Sequence, residues 1–335
     1  MTATKQFDAT FVGLTILDIS GRPVRGIPDG GGVEFIDEIK LCPAGTAAGA
    51  LMNAAKLGIK CRAVACLGND EKGDFILDSY RRIGNIDVAM VQRTDDAPTS
   101  ATILPIRPNG DRPALHQKGA SDYLWIKEDD FSVICDNTKI LHHGGTGLLK
   151  KMDESGQSAK LLAYAKSKGV VTTLDLIAPN DSTIDLLREI LPHVDYFMPS
   201  MEEALFLSQT SNADDAANFF LEEIMKGGTC IFKWGAKGSF LKSFAGERKI
   251  IPAYRINVKD TTGCGDSYCG GFVAGLIKYC NDDDNNGDIT NQVLDAACRL
   301  GTATSALVAT GLGSDAGVVD YESTKQFMEN SKCYS

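Results

Sequence analysis

Short continuous apolar runs alternate along the chain with stretches whose apolar positions recur every three or four residues. Phe7 to Leu17 is the first run, with Phe11, Val12, Leu14, Ile16 and Leu17 close together. It reads as one buried strand that delivers Asp18 to the carboxyl edge of a sheet. Ala63 to Leu67, Lys139 to His143, Val170 to Leu176, Tyr196 to Met198 and Thr229 to Trp234 repeat the type. Helical patterns fall between and after them: Ala50 to Leu57, Ser155 to Lys168, Asp214 to Met225, Ser267 to Cys280 and Ile289 to Val308. Strand–helix alternation of this kind predicts an α/β fold with a mostly parallel sheet covered on both faces.

Two stretches break the rhythm. After the glycine-rich turn Gly26 to Gly32, Val33, Phe35, Ile39 and Leu41 alternate with polar residues, the pattern of a half-exposed strand. Thr99 to Gln117 repeats it, with Thr102 to Arg107 and Ala114 to His116 flanking a turn that contains Asn109-Gly110, a hairpin signal. Inserts at about 20–42 and 99–118 therefore predict a small second sheet.

Composition narrows the class. Among 335 residues, 43% are hydrophobic and 23% charged, as in an ordinary globular protein. A net charge of −10 argues against a nucleic-acid partner, which a basic face would announce. The ten cysteines form no Cys-x-x-Cys pair and lie in apolar runs, which suits buried reduced thiols in a cytoplasmic protein. The first apolar run is short and bounded by Asp8 and Asp18, so neither a signal peptide nor a membrane span is expected.

The chemistry concentrates in Val258-Lys259-Asp260-Thr261-Thr262-Gly263-Cys264-Gly265-Asp266-Ser267. A strand from Lys249 to Val258, broken by Pro252, is expected to run into this turn, and a helix follows at once. Gly263 and Gly265 permit sharp turns, so their amides and that of Cys264 can converge at the helix start, an anion site. Asp266 would repel the anion unless it takes a proton from a nucleophile. Gly270-Gly271 inside the helix costs about 1 kcal/mol per residue and implies a second backbone packed close by.

Other features have plain readings. On position alone, Asp18 either faces a ligand or opens a turn toward Gly21 and Pro23. His142 and His143 point to opposite faces of a strand and cannot ligate one ion, so a structural role is expected. Glu202-Glu203 suits the first turn of a helix. Asn281 to Asp288 reads as a solvated loop. Gly311-Leu312-Gly313-Ser314-Asp315-Ala316 follows a helix instead of a strand, which excludes a dinucleotide-binding unit, and no Walker sequence is present.

Asp260-Thr261-Thr262-Gly263-Cys264-Gly265-Asp266 resembles the signature of ribokinase-like (PfkB) carbohydrate and nucleoside kinases, with Cys264 in place of the family's alanine. Gly13 to Ile19, Pro43 to Gly49, Gly68 to Gly73 and Ser200 to Glu203 resemble further family segments in the proper order. The resemblance implies a single ribokinase-like three-layer domain over residues 1–335, whose second sheet is a lid over the substrate and often a dimer contact. It implies ATP and Mg2+ as cofactors, Asp266 as base and the amides of Gly263, Cys264 and Gly265 as anion hole. Asp18 would bind sugar hydroxyls, and Glu203 would organise magnesium through water. Lys233, Gly235, Gly238, Thr261 and Gly313 would lie beside the nucleotide. Gly45 and Gly49 are candidates for the pocket wall, and core packing explains them almost as well. Ala44 and Gly49 replace the family's Gly and Asn, which weakens analogy about the acceptor, whereas Ser200 replaces an Asn of the magnesium-organising segment and can still accept or donate a hydrogen bond.

An ATP-dependent sugar kinase is therefore expected. A nucleoside kinase, with Phe35 or Tyr123 stacking on a base, and a catalytically silent sugar-binding protein are the alternatives. Arg22, Arg25, Arg107 and Arg112 could meet a sugar phosphate or simply face solvent.

Overall fold

The structure is a computed structural model that describes residues 5–280 and 289–334. The Asn281 to Asp288 stretch lies outside the described residues. The strands are β1 (Phe7–Gly13), β2 (Ile16–Arg22), β3 (Glu38–Ala44), β4 (Cys61–Gly68), β5 (Ile86–Thr94), β6 (Ala101–Pro105) and β7 (Leu115–Gln117). They continue as β8 (Thr138–Thr146), β9 (Val171–Leu176), β10 (Tyr196–Phe197), β11 (Thr229–Lys233), β12 (Ser239–Ser243) and β13 (Arg248–Ile251). Nine of them form the main sheet in the order β13-β12-β11-β10-β9-β8-β1-β4-β5, parallel except for β12 and β13. The other four form the lid sheet, β3-β2-β6-β7. The strand order reverses beside β1, where open α/β sheets leave a crevice for ligands.

Alternation along β1 explains the layers. Ala9 and Phe11 enter one apolar cluster with Leu51, Phe272 and Leu300, while Val12 enters another with Leu161, Phe197 and Phe220. Successive side chains of a strand face opposite ways, so a run apolar at every position must be covered twice.

Four helices position the site: α1 (Thr46–Lys56), α2 (Met201–Ser208), α3 (Cys264–Cys280) and α4 (Asn291–Val308). α3 lies between α1 and α4. A Cβ on Gly270 would stand 2.3 Å from the Ala50 carbonyl oxygen, and one on Gly271 2.4 Å from Thr304 Oγ1. The close backbone approach inferred from these two glycines is present.

Several sequence-based boundaries need correction. The single strand expected over Phe7 to Leu17 is two strands. Gly13 adopts φ +133° because a Cβ there would lie 1.9 Å from the Gly144 carbonyl oxygen, and the chain leaves the main sheet at that point. Asp18 therefore belongs to β2 of the lid, not to the edge of the main sheet. The strand expected from Lys249 to Val258 stops at Ile251, ahead of Pro252, which has no N–H to donate. The half-exposed strand begins at Glu38, leaving Val33 and Phe35 outside it. The alanine-rich helix begins at Thr46, four residues earlier than expected, with Gly45 as its N-cap at φ +95°. The helical stretch expected over Asp214 to Met225 is an α-helix, Ala213–Asn218, continued as a π-helix, Phe219–Met225.

Candidate active site

The turn before α3 is held by Asp260. Its Oδ1 accepts from the Thr262 amide (3.0 Å) and hydroxyl (2.8 Å), and its Oδ2 accepts from the Gly313 amide (3.2 Å). Gly263 takes φ +72°, and a Cβ there would meet Ser314 Cβ at 2.4 Å. The chain thus turns sharply into α3. The Cys264 amide is spent on the Thr261 carbonyl at 3.3 Å, whereas the Ser267 amide starts the helical ladder on Gly263. The Gly263 and Gly265 amides at this helix head remain for an anion.

Asp266 stands in the first turn of α3. Burial pushes its carboxyl up to about 7, helped by Asp175, Asp18 and Glu203, while Lys233 pulls the other way. Gly49 makes room for it: a Cβ at position 49 would lie 2.7 Å from Asp266 Cβ and 3.1 Å from Oδ2. The glycine where relatives carry Asn thus has a steric reason in this chain.

Beneath the turn, the Lys233 ammonium lies 2.6 Å from both oxygens of Asp175, a fully buried carboxylate at the end of β9. Cys269 Sγ donates to the same carboxylate at 3.4 Å. The ammonium also lies 3.4 Å from where a Cβ on Gly265 would stand, so it reaches the underside of the amide turn. Its pKa is raised, because Asp175, Cys269 and Glu203 together outweigh its burial. Sequence reasoning missed Asp175. The available signal was a lone carboxylate within a buried strand, Thr172 to Leu176.

Glu203 closes a capping box on α2: its Oε2 accepts from the Ser200 amide at 2.8 Å, and Ser200 Oγ accepts from the Glu203 amide at 3.2 Å. Burial raises its pKa. Ser200 thus does local work at the position where relatives carry Asn.

The lid reaches the site through a few contacts. Arg112 Nη1 donates to Thr262 Oγ1 at 3.1 Å. Asp18 is 6% exposed, and burial pushes its carboxyl up to about 6 against a hydrogen bond from Thr102, with Asp260 raising and Arg112 lowering it. Lys40 on β3 donates to the Leu312 carbonyl and to Asp315 Oδ1, both at 2.8 Å, and Lys56 on α1 donates to Asp315 Oδ2 at 3.0 Å. These ammonium groups hold the Asp315 carboxyl well below the usual range although burial works the other way. The 311–317 segment therefore ties lid, α1 and the Asp260 turn together.

The remaining candidates are placed as follows. Gly45 passes so close to Leu14 that a Cβ would lie 2.5 Å from its carbonyl oxygen. Gly238 (φ +93°) lets the 234–238 turn approach Ile251, whereas Gly235 borders open space. Thr261 is exposed, and Gly313 (φ +85°) packs against Lys40 and Cys42. Arg22 pairs with Glu38 (3.0 Å), Arg25 with Glu34 (3.6 Å), and Arg107 donates to the Val24 carbonyl (3.3 Å). Of the four arginines only Arg112 touches the Asp260-to-Asp266 motif. His142 and His143 are fully buried and kept neutral, with pKa values lowered by burial to about 3 and about 4, and each Nδ1 meets a threonine hydroxyl. Their role is structural. No cluster of three or more His, Cys, Asp or Glu able to hold a metal exists among the described residues.

A carboxylate poised near neutrality beside free amides, under a lid that brings a second carboxylate, has what phosphoryl transfer to an alcohol requires. The class is a phosphotransferase on a ribokinase-like fold. Residues 7–320 match the family model described as pfkB family carbohydrate kinase, and the chain belongs to that family. It is 26% identical to the ribokinase of Haemophilus influenzae over 293 residues, which cover 86% of this chain and 87% of that one. Arabidopsis thaliana ribokinase, solved with ribose and ATP, shares the fold with a TM-score of 0.76 at 20% identity, covering 96% and 99% of the two chains. An E. coli chain solved with ATP and Mg2+ does so with a TM-score of 0.77 at 22% identity and the same coverage.

Proposed function

We propose that the whole chain, 1–335, is one catalytic unit, with the lid inserts at about 20–42 and 99–118 extended back to the start of β2 at Ile16, that transfers the γ-phosphoryl group of ATP to a hydroxyl of a small sugar. The observation that carries this reading is Asp266: half-buried at the head of α3, with its pKa near 7 and a space kept for it by Gly49. Ionised Asp266 takes the proton of the attacking hydroxyl. The Gly263 and Gly265 amides receive the negative charge that grows on the transferred group. Gly235 and Thr261 border the nucleotide, while Gly238, Lys233 and Gly313 act from behind, shaping the turns that hold it. Asp18 orients the acceptor from the lid, and Gly45 shapes the pocket wall.

The residues also fit magnesium. Asp175, Asp266 and Glu203 influence one another electrostatically, with the single Lys233 ammonium among them, so the cluster carries excess negative charge. A divalent cation, held by ATP and by Glu203 through water, would screen the phosphates there.

Two observations favour a sugar over a nucleoside. The side of the lid sheet that carries Asp18 also presents Cys42, Thr102 and His116, and the one ring among them, the His116 imidazole, is engaged edge-on by Thr102 at 3.0 Å. Phe35 and Tyr123 are 85% and 42% exposed and are unsuited to enclose a base. The test is ADP release from Mg-ATP with D-ribose, D-fructose, fructose 6-phosphate and adenosine. Turnover confined to adenosine would reverse the choice, and none with any acceptor would leave the silent binding protein.

The opposite side of the lid carries an apolar row in register, Leu41, Ile19, Ile103 and Leu115. Leu41, Ile103 and Leu115 are 42%, 51% and 63% exposed. A two-fold axis would lay this row on its own copy, an isologous homodimer through the lid. Sedimentation should give a dimer that the double substitution Ile103→Asp and Leu115→Asp dissociates; a wild-type monomer at micromolar concentration would end this idea. No disulfide joins any of the cysteines among the described residues, which suits a reducing compartment such as the cytoplasm, and cell fractionation checks that.

A further inference from the structure

The sugar-facing side of the lid carries more hydrogen-bonding groups than Asp18 alone. Asp18 on β2 pairs in register with Thr102 on β6, and Thr102 with His116 on β7. Paired positions in a sheet share a face, so the three side chains stand in one row across three strands. Thr102 Oγ1 lies 3.0 Å from His116 Nδ1, and the same residue stands in register beside Asp18, whose pKa it lowers.

A hydroxyl has one proton to give, and an ionised carboxylate can only accept. With its one proton turned toward Asp18, its register partner, Thr102 accepts from His116 through an Nδ1–H. That places the imidazole proton on Nδ1 and leaves a lone pair on Nε2. His116 is at an exposed strand position, and its pKa is lowered by burial of the ring and by Lys118, against Asp122, so the ring is neutral at pH 7.

We propose that Thr102 and His116 complete the acceptor site: Thr102 is a positioning residue that holds Asp18 ionised in one orientation, and His116 Nε2 accepts a hydrogen bond from a second hydroxyl of the sugar. This rests on reading the chain as a sugar kinase with Asp18 orienting the acceptor. The row then offers only acceptors, a carboxylate and an imine nitrogen. It selects a group rich in hydroxyl donors and rejects a phosphate at that end of the substrate. The groups facing Asp18 are consistent with this. Asp260 on the turn and Asp266 across the site raise its pKa or are raised by it, and Arg112 from the lid lowers it. Cys42 faces it from β3, and Lys40 farther along that strand is committed to Asp315 and Leu312.

Steady-state kinetics with D-ribose and D-fructose, and with whichever sugar is turned over fastest, test the row. Thr102→Val keeps the shape and removes the donor. It should raise the sugar KM about tenfold, the worth of one hydrogen bond to a charged group, with the ATP KM unchanged. The acid limb of kcat/KM for the sugar should move to higher pH, because Asp18 without its donor protonates more readily. Thr102→Ser should restore both, and His116→Ala should raise the sugar KM alone. An active enzyme whose Thr102→Val form keeps the wild-type sugar KM and pH profile overturns the row and leaves the kinase reading standing. A wild type that phosphorylates no sugar overturns the kinase reading itself, and the row with it.

Discussion

Gly49→Ala separates catalysis from stability more cleanly than any other single change at this site. The new methyl would stand 2.7 Å from Asp266 Cβ, 3.1 Å from Oδ2 and 3.3 Å from Cγ. The first of these is about 1 Å inside the ~3.5–4.0 Å optimum for carbon contacts, so one partner must move. Position 49 lies within α1, which is held in place because Asn53 Nδ2 ties the Gly49 carbonyl (2.8 Å) to that of Ser314 (2.9 Å).

 Asp266 must therefore give way, and a displacement of about 1 Å between base and nucleophile costs on the order of 100-fold in rate. Alanine is also the better helix former, by about 1 kcal/mol, which offsets the strain of the crowded methyl. The expected outcome is a kcat reduced about 100-fold at nearly unchanged melting temperature. Initial rates of ADP release and a thermal melt measure the two, with Asp266→Asn as the reference for complete loss of the base. A Gly49→Ala enzyme with wild-type kcat would refute the reasoning, because the base would then tolerate displacement or would not be Asp266.

Two further outcomes follow from the charges around the base. The ionised form of Asp266 is the active one and its pKa is raised to about 7, so kcat/KM should rise with pH through about 7, and Asp266→Asn should abolish that limb along with the activity. A limb inflecting near 4 would mean that the base is solvated. Asp175→Asn should lower stability by about 3 kcal/mol in urea denaturation, because it strands the buried Lys233 ammonium, and the loss of one negative charge should move the same limb to lower pH; unchanged stability would show that Lys233 finds another partner.

Much of the architecture was legible in the sequence because its signals are local. Apolar runs of strand length alternate with helical periodicity, and a buried parallel strand needs apolar residues on both faces wherever it is placed. The Asp260-to-Asp266 stretch was legible for the same reason: two glycines and a carboxylate at a helix head state their chemistry within seven residues. Gly270-Gly271 even reported a distant partner, since an unfavourable pair inside a helix must be offset by close packing.

What the sequence could not show depends on which distant residues meet. The break at Gly13 exists because the Gly144 carbonyl occupies the space of a side chain, and that contact moves Asp18 from the main sheet into the lid. Asp175 is one carboxylate among many until folding buries it under Lys233 and beside Cys269. Gly49 looked like a lost ligand and is a vacated space for Asp266. The row Asp18–Thr102–His116 joins residues far apart in the chain, and only strand register puts them on one face. Local sequence determined the elements and the reacting group. Tertiary contact decided the neighbours of that group, and because desolvation and nearby charge set a pKa, it decided the base's working range as well.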